Sequence, residues 1–294
     1  MYELIQLSEH DYYIDCPAKI GVVRTGEKEA VLIDSGSDKD AGKKVLKLLS
    51  EQGWTLTAVF ITHSHADHIG GCRLLQDRTG CAVYAPELEC VYTVDPELEP
   101  MGLYGGLPFK DIQSKFLMAQ SCRAEPLRPE VLPAGFELIP LPGHSFAMTG
   151  FRTPDGTVFV ADSVSSPETL DKYGIGYLWD PRAALATLEQ LKTLEGKRFV
   201  PAHAAVTENI APLAEINIAA IQKTRDDILR LCGSGRDFDS LLKALFDEYA
   251  MTMTAQQYVL IGSTLRSYLS SLYTEGKLVF SFTDNRMLWS VPEL

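Results

Sequence analysis

With 294 residues the chain can bury one large core, or one domain with a small appendage. Its 46% hydrophobic and 22% charged residues exclude a disordered or low-complexity protein. The 27 basic and 39 acidic side chains leave a formal charge of -12 with no dense basic run, which argues against nucleic acid or any other polyanion as partner. No apolar run approaches the ~20 residues of a membrane span, and Met1-Tyr2-Glu3-Leu4-Ile5 lacks the basic-then-apolar pattern of a secretory signal. The expectation is a cytoplasmic protein without membrane contact. The cysteines at 16, 72, 81, 90, 122 and 232 show no CxxC spacing and read as buried thiols rather than ligands.

Residues 2–7, 12–16, 20–24 and 30–34 read as strands, the last two joined by the turn Thr25-Gly26-Glu27-Lys28. The fourth ends Val31-Leu32-Ile33-Asp34-Ser35-Gly36, where Asp34 is either a cap or loop anchor, or a buried partner supporting a ligand. Ala41, Val45, Leu46 and Leu49 at helical spacing mark a helix over 39–52. The apolar strand Leu56-Thr57-Ala58-Val59-Phe60-Ile61 then runs into Thr62-His63-Ser64-His65-Ala66-Asp67-His68-Ile69-Gly70-Gly71. His63 and His65 are two apart, so in an extended segment both leave on one side and reach one ion. Asp67 and His68, where the chain turns into a helix, can face a second ion beside it. Three of the six histidines fall within six residues here, a density that ordinary core histidines and a capping Asp would rarely produce.

This HxHxDH element after an apolar strand resembles the signature of the metallo-β-lactamase superfamily. The resemblance implies that an Asp at the position of Asp34 supports the ligand loop, and that a His, an Asp and usually a His follow at the ends of later strands. Downstream come a helix to about 78, a strand over 81–84 and a helix from Pro86-Glu87. Residues 93–131 carry Pro96, Pro100, Gly102, Gly105, Gly106, Pro108, Pro126 and Pro129, so mostly irregular structure is expected, either a lid or a surface decoration. As a lid it would set Tyr104, Phe109, Phe116, Leu117 and Met118 against the substrate.

The strand Phe136-Glu137-Leu138-Ile139-Pro140-Leu141 ends in Pro142-Gly143-His144-Ser145, similar to the family's PGH(S/T) element, although Phe146-Ala147-Met148-Thr149-Gly150 departs from the usual continuation. The strand Thr157-Val158-Phe159-Val160-Ala161 closes on Asp162, where the family has its bridging Asp, and a later short strand over 198–201 delivers His203. Between them, Tyr173, Tyr177 and Trp179 form an aromatic loop that either contacts substrate or packs beneath it, followed by an amphipathic helix over 181–194. His10 is left as a structural histidine.

After residue 210 the sequence changes character: helices over 212–231, 238–250 and 254–273 precede a hairpin around Thr283-Asp284-Asn285. This pattern is similar to the winged-helix appendage of some superfamily members, but over 251–294 only Arg266, Lys277 and Arg286 oppose Glu275, Asp284 and Glu293. A neutral module of this kind suits packing, dimerisation or a pocket wall better than nucleic acid, and a homodimer stays open.

The resemblance implies an α+β, four-layer αββα sandwich over 1–210 with the lid insertion 93–131 and a small helical, winged-helix-like module over 211–294. It implies that His63, His65 and His144 hold one divalent ion, that Asp67, His68 and His203 hold a second, and that Asp162 bridges them. Imidazole and carboxylate donors suit zinc first, with iron or manganese also compatible. The implied activity is a binuclear metal-dependent hydrolase in which a metal-bound hydroxide attacks a small ester, thioester or lactone while Asp67 orients the water or takes its proton. The ligand count is similar to that of glyoxalase II, whose glutathione-holding basic residues have no match here. The alternative is an iron-dependent oxidoreductase of the persulfide dioxygenase type, and further behind stands a nuclease.

Overall fold

A computed structural model of the chain describes residues 2–292. Its first sheet contains, side by side in chain order, β1 (Glu3–Gln6), β2 (Asp11–Asp15), β3 (Ile20–Arg24), β4 (Glu29–Ile33), β5 (Thr55–Phe60), β6 (Ala82–Ala85) and β7 (Glu125–Pro126). β1 to β4 form an antiparallel meander, whereas β4 to β7 run parallel. The parallel strands need crossovers, which α1 (Lys39–Glu51), α2 (Ala66–Ile69), α3 (Cys72–Thr79), α4 (Glu87–Val94) and α5 (Leu98–Tyr104) provide.

The second sheet holds β8 (Glu137–Pro140), β9 (Thr149–Arg152), β10 (Thr157–Ser165) and β11 (Arg198–His203) in the order β11-β10-β9-β8. Its parallel pair, β10 and β11, is linked through α6 (Pro167–Tyr173) and α7 (Pro181–Leu191).

Strand alternation explains why these sheets stack. Along β4, Val31 and Ile33 face the second sheet, where they join Phe60, Phe151, Phe159 and Val200, while Ala30 and Leu32 face the helices beside Val45, Leu49 and Leu75. A strand buried on both faces therefore reads as an unbroken apolar run, and each such side chain contributes about 1.5–3 kcal/mol. β10 repeats the logic, with Phe159 turned to the sheet interface and Val158 and Val160 to the outer helices. The fold is the four-layer αββα sandwich.

The remaining elements are α8 (Ala211–Cys232), β12 (Arg236–Asp237), α9 (Phe238–Glu248), α10 (Ala255–Thr274), β13 (Val279–Thr283) and β14 (Arg286–Ser290). Ile221, Ile228, Leu245 and Leu265 of these helices share one apolar cluster with Val158, Val160 and Leu188, so they serve as the outer layer over the second sheet. β12, β14 and β13 form a small ribbon whose expected hairpin turns at Asp284-Asn285, both with positive φ, as a two-residue turn requires. No helix among the described residues is long and apolar enough to cross a membrane.

Two helices depart from the sequence expectation. α5 lies inside the stretch expected to be irregular: Pro100 falls in the first turn, where its missing N–H costs no helical bond, and Gly105 closes the helix in the left-handed conformation. α6 follows Ser166, whose hydroxyl accepts from the Thr169 N–H while Pro167 starts the helix, a capping signal masked by its position in an aromatic loop.

Gly143 shows how closely the layers meet. It has φ +124°, and a Cβ there would lie 2.2 Å from the Ala184 nitrogen at the start of α7. Gly143→Ala is expected to cost about 3 kcal/mol or more, because strain and a backbone clash add. The check is thermal unfolding, with an expected fall of at least ~6 °C for a chain of this size. A melting temperature unchanged to within about 1 °C would mean that α7 can retreat without cost.

Candidate metal centre

The C-terminal ends of β5, β10 and β11 open toward the same edge of the sandwich, and the turn after β8 reaches it from the side. β5 delivers His63, His65, Asp67 and His68, the Pro142-Gly143 turn delivers His144, β10 carries Asp162 and β11 ends on His203. In β10 the pairing with β11 slips on both sides of Ala161, which has φ +49°. This bulge stores local strain and turns the next residue, Asp162, among the histidines.

The donor atoms converge closely. His63 Nε2 and His144 Nε2 each lie 3.0 Å from His65 Nδ1. His203 Nε2 lies 3.3 Å from Asp67 Oδ2 and 3.2 Å from Asp162 Oδ2. Asp162 also approaches His68 Nε2 at 3.1 Å and His144 Nε2 at 3.4 Å. Three sets have donor atoms mutually within 4.8 Å: His63, His65 and His144; Asp67, His68 and His203; and, between them, His63, His68 and Asp162.

Each imidazole has its outer nitrogen engaged and its inner one turned to this cluster. His144 Nδ1 lies 3.2 Å from the Tyr177 carbonyl, and His203 Nδ1 lies 2.9 Å from that of Pro17. Asp34 accepts from His68 Nδ1, from the Thr62 N–H and from the Thr62 hydroxyl, each at 2.8 Å. Because the Thr62 hydroxyl donates to Asp34, its oxygen is left to accept from His63 Nδ1 at 3.0 Å. His65 is reversed: Nε2 faces Glu99 at 3.7 Å and Nδ1 points inward. The buried atoms His68 Nε2 and Asp162 Oδ1 have no hydrogen-bond partner although they are 3.1 Å apart. Buried polar atoms without a partner are costly, and these two, with imidazole and carboxylate neighbours, fit a divalent cation.

Electrostatics divide the cluster. Burial pushes His63 well below the ordinary histidine range, reinforced by neighbouring His68 and His65, and lowers His65 and His144 to about 4. These three present neutral nitrogens at pH 7. The charge of Asp162 raises His203 to about 10. For His68 burial acts downward, but Asp162, Asp67 and Asp34 together hold it well above its usual value. Burial likewise opposes ionisation of Asp67 and Asp162, yet the facing His68 and His203 keep both carboxylates below the usual range.

Beside the cluster lies a cavity of about 300 Å³. Of the residues expected to touch substrate, Tyr173, Tyr177, Phe116 and Leu117 line it. Tyr104, Phe109, Trp179 and Met118 do not. In α5 the buried stripe is Glu99, Pro100 and Leu103, which turns Tyr104 outward against Phe109, and Trp179 packs edge-on to Phe146.

Two carboxylates escaped the sequence reading. Glu99 lines the cavity, and burial together with the Glu89 charge raises it to about 8. Glu89, fully buried, accepts from the Ser64 N–H and hydroxyl at 2.9 and 2.6 Å, and from the Ser145 hydroxyl and Ala147 N–H at 2.7 and 2.9 Å. It thus ties the His63–His65 turn to the His144 turn. The available signal was its place on the α4 stripe with Cys90 and Thr93, where a charge is out of pattern.

The chain belongs to the metallo-beta-lactamase superfamily, whose family model matches residues 13–203. Its enzyme class is that of the metallo-hydrolases. It is 27% identical over 222 residues to a hydroxyacylglutathione hydrolase from Photobacterium profundum, covering 74% of each chain. A second hydroxyacylglutathione hydrolase, from Rhodopseudomonas palustris, is 46% identical over 57 residues, a match spanning 18% of this chain and 22% of the relative. In fold the chain is similar to a metallo-beta-lactamase family protein from Thermus thermophilus, with a TM-score of 0.73, 17% identity and coverage of 99% of this chain and 98% of the other.

The Glu89 network implies a stability effect out of proportion to one surface-type residue. Glu89→Ala leaves the Ser64 and Ala147 N–H groups without an acceptor and is expected to cost about 3 kcal/mol, with Glu89→Gln costing roughly half. Urea unfolding of the two variants measures this. Wild-type stability in Glu89→Ala would mean that the two turns hold their places without the carboxylate.

Proposed function

We propose that the protein is a binuclear metal-dependent hydrolase of a small ester, thioester or lactone. In this reading His63, His65 and His144 hold one divalent ion, Asp67, His68 and His203 hold the other, and Asp162 is shared. The observation that carries the proposal is the inward convergence of imidazole and carboxylate atoms, two of which, His68 Nε2 and Asp162 Oδ1, are buried without a hydrogen-bond partner. Zinc suits this donor set first, and iron and manganese are also compatible. Bound there, two ions would polarise a substrate carbonyl and acidify a shared water. Asp67, half exposed beside the cavity, is the residue that orients this water or accepts its proton.

The cavity supports a small, largely apolar substrate. Phe116, Leu117, Tyr177, Leu260 and Ile261 form its walls, and no lysine or arginine is among its lining residues. The nearby cations Lys115 and Lys172 lie over the rings of Phe116 and Tyr173. The hydroxyacylglutathione hydrolase relatives support acyl transfer to water as the reaction type, while the lack of a cationic wall argues against a glutathione tail held inside. The proposal includes a catalytic unit over 1–210, a lid over 93–131 and a winged-helix-like module over 211–294 acting as pocket wall. It also includes a cytoplasmic location and no nucleic-acid partner, in keeping with the charge of -12.

Metal analysis by mass spectrometry is the first test. Two zinc or mixed divalent ions per chain are expected, falling to about one in His203→Ala. A single iron unaffected by that variant would overturn the binuclear reading in favour of the dioxygenase. Titration calorimetry in buffers of different ionisation enthalpy gives a second test. His203, raised to about 10, must lose its proton to bind a cation, and His68 is shifted in the same direction by its carboxylate neighbours, so loading at pH 7 should release at least one proton per chain. No release would show that these two nitrogens are not ligands.

A further inference from the structure

A second cavity, of about 100 Å³, lies behind the metal centre between β10 and the helices α7, α8 and α10. It shares His144, Asp162, Ser165, Leu170, Gly176 and Tyr177 with the outer cavity, so the two adjoin at the candidate ligands His144 and Asp162. Four of its polar lining side chains are already committed to the protein. Thr187 donates to the Pro142 carbonyl, Thr224 to that of Ala220 and Ser163 to that of Val160, while the Asn217 side chain is fully used between Ser165 and Leu213. What remains for a guest is the aliphatic surface of Met148, Leu178, Leu188, Ala220 and Ile221, with the Ser165 hydroxyl and the Asp162 carboxylate on the side shared with the outer cavity.

We infer that this rear cavity is an acyl pocket: it takes the short aliphatic chain of the substrate's acyl group, with the carbonyl at the metal centre and the leaving group in the outer cavity. The inference rests on the hydrolase reading and adds the substrate class, a short-chain acyl ester, thioester or lactone. Volume sets the chain length, since an engineered apolar cavity of about 150 Å³ accommodates benzene, so about 100 Å³ accommodates roughly four carbons. The division of space explains why the leaving group lies outward. The outer cavity is the larger and is bounded by the 93–131 insertion and α10, whereas the smaller rear one is lined by β10 and by residues of α7, α8 and α10.

Straight-chain alkyl hydroxamates test the inference without requiring turnover, because the hydroxamate binds a metal and leaves the alkyl chain to find its pocket. With the zinc-loaded protein, calorimetric affinity should rise about fourfold per methylene from acetohydroxamate to a chain of about four carbons beyond the carbonyl, then level off. Ala220→Leu fills the rear cavity and should bind acetohydroxamate as wild type does while losing the gain with chain length. Ile221→Ala enlarges it and should move the levelling point to longer chains, an opposite shift that general destabilisation does not produce. Chain-length series identical in the wild type and both variants would overturn the acyl pocket while leaving the hydrolase reading intact. If zinc binds but no hydroxamate does, the metal-centre reading fails and the acyl pocket falls with it.

Discussion

The candidate centre depends on one constraint: every imidazole that points inward must be held from behind, or its free nitrogen has no fixed direction. Asp34 carries much of this load. It closes β4 in the left-handed conformation with φ +65° and is buried, yet it accepts three hydrogen bonds of 2.8 Å from Thr62 and His68. One carboxylate therefore orients His68 directly and His63 through the Thr62 hydroxyl. A neutral anchor would hold the same geometry but would not offset the burial of His68, which is why a charged group stands there.

The backbone around Asp34 is built for close approach. Ser35 donates through both its N–H and its hydroxyl to the His68 carbonyl, at 2.7 and 2.8 Å. This is sterically open only because Gly71 lies opposite, where a Cβ would stand 2.3 Å from the Ser35 oxygen, and because Gly70 meets Ser37 in the same way. The glycine pair after the ligand turn is thus a packing requirement of the two strand ends, independent of any ligand. Glu89 does for the His65 and His144 turns what Asp34 does for His63 and His68, from the opposite side of the cluster.

Much of this was legible in the sequence, for identifiable reasons. Six of the seven candidate ligands stand at a strand end or within the turn and short helix just after one. Asp162, expected to close its strand, instead lies inside β10, which runs on to Ser165 past the bulge at Ala161. β5, β10 and β11 announce themselves by apolar runs, so residue type and spacing sufficed. The four-layer fold was legible only through the resemblance that the HxHxDH motif carried. Glu89 and Glu99 were not legible because their meaning lies in contacts such as Glu89 to Ser145, 56 residues apart, that no local pattern encodes. The aromatic residues were legible only as a class. Tyr104 and Leu103 are neighbours, and helical phase alone decided that Leu103 is buried and Tyr104 is not. α5 was hidden because proline was read as a breaker, whereas in a first turn it is compatible with a helix, and α6 because its Ser166-Pro167 start lies in a stretch read as an aromatic loop.

Part of the outer cavity's wall comes from segments that supply no candidate ligand. Leu103, Ile112 and Leu117 of the 93–131 insertion pack on Val259 of α10, and Gln256 of α10 donates to the Asp111 carbonyl at 3.1 Å. The insertion and the last long helix therefore behave as one packed unit over the outer cavity, although more than 100 residues separate them. Phe116, Leu117, Leu260 and Ile261 of that unit are apolar and take no part in the hydrogen bonds of Asp34 and Glu89, so they can change without removing those anchors. A rigid, buried array that presents donors and a separate helical wall that presents shape is an arrangement in which the same centre can serve different substrates, and it is the wall that must be read to know which.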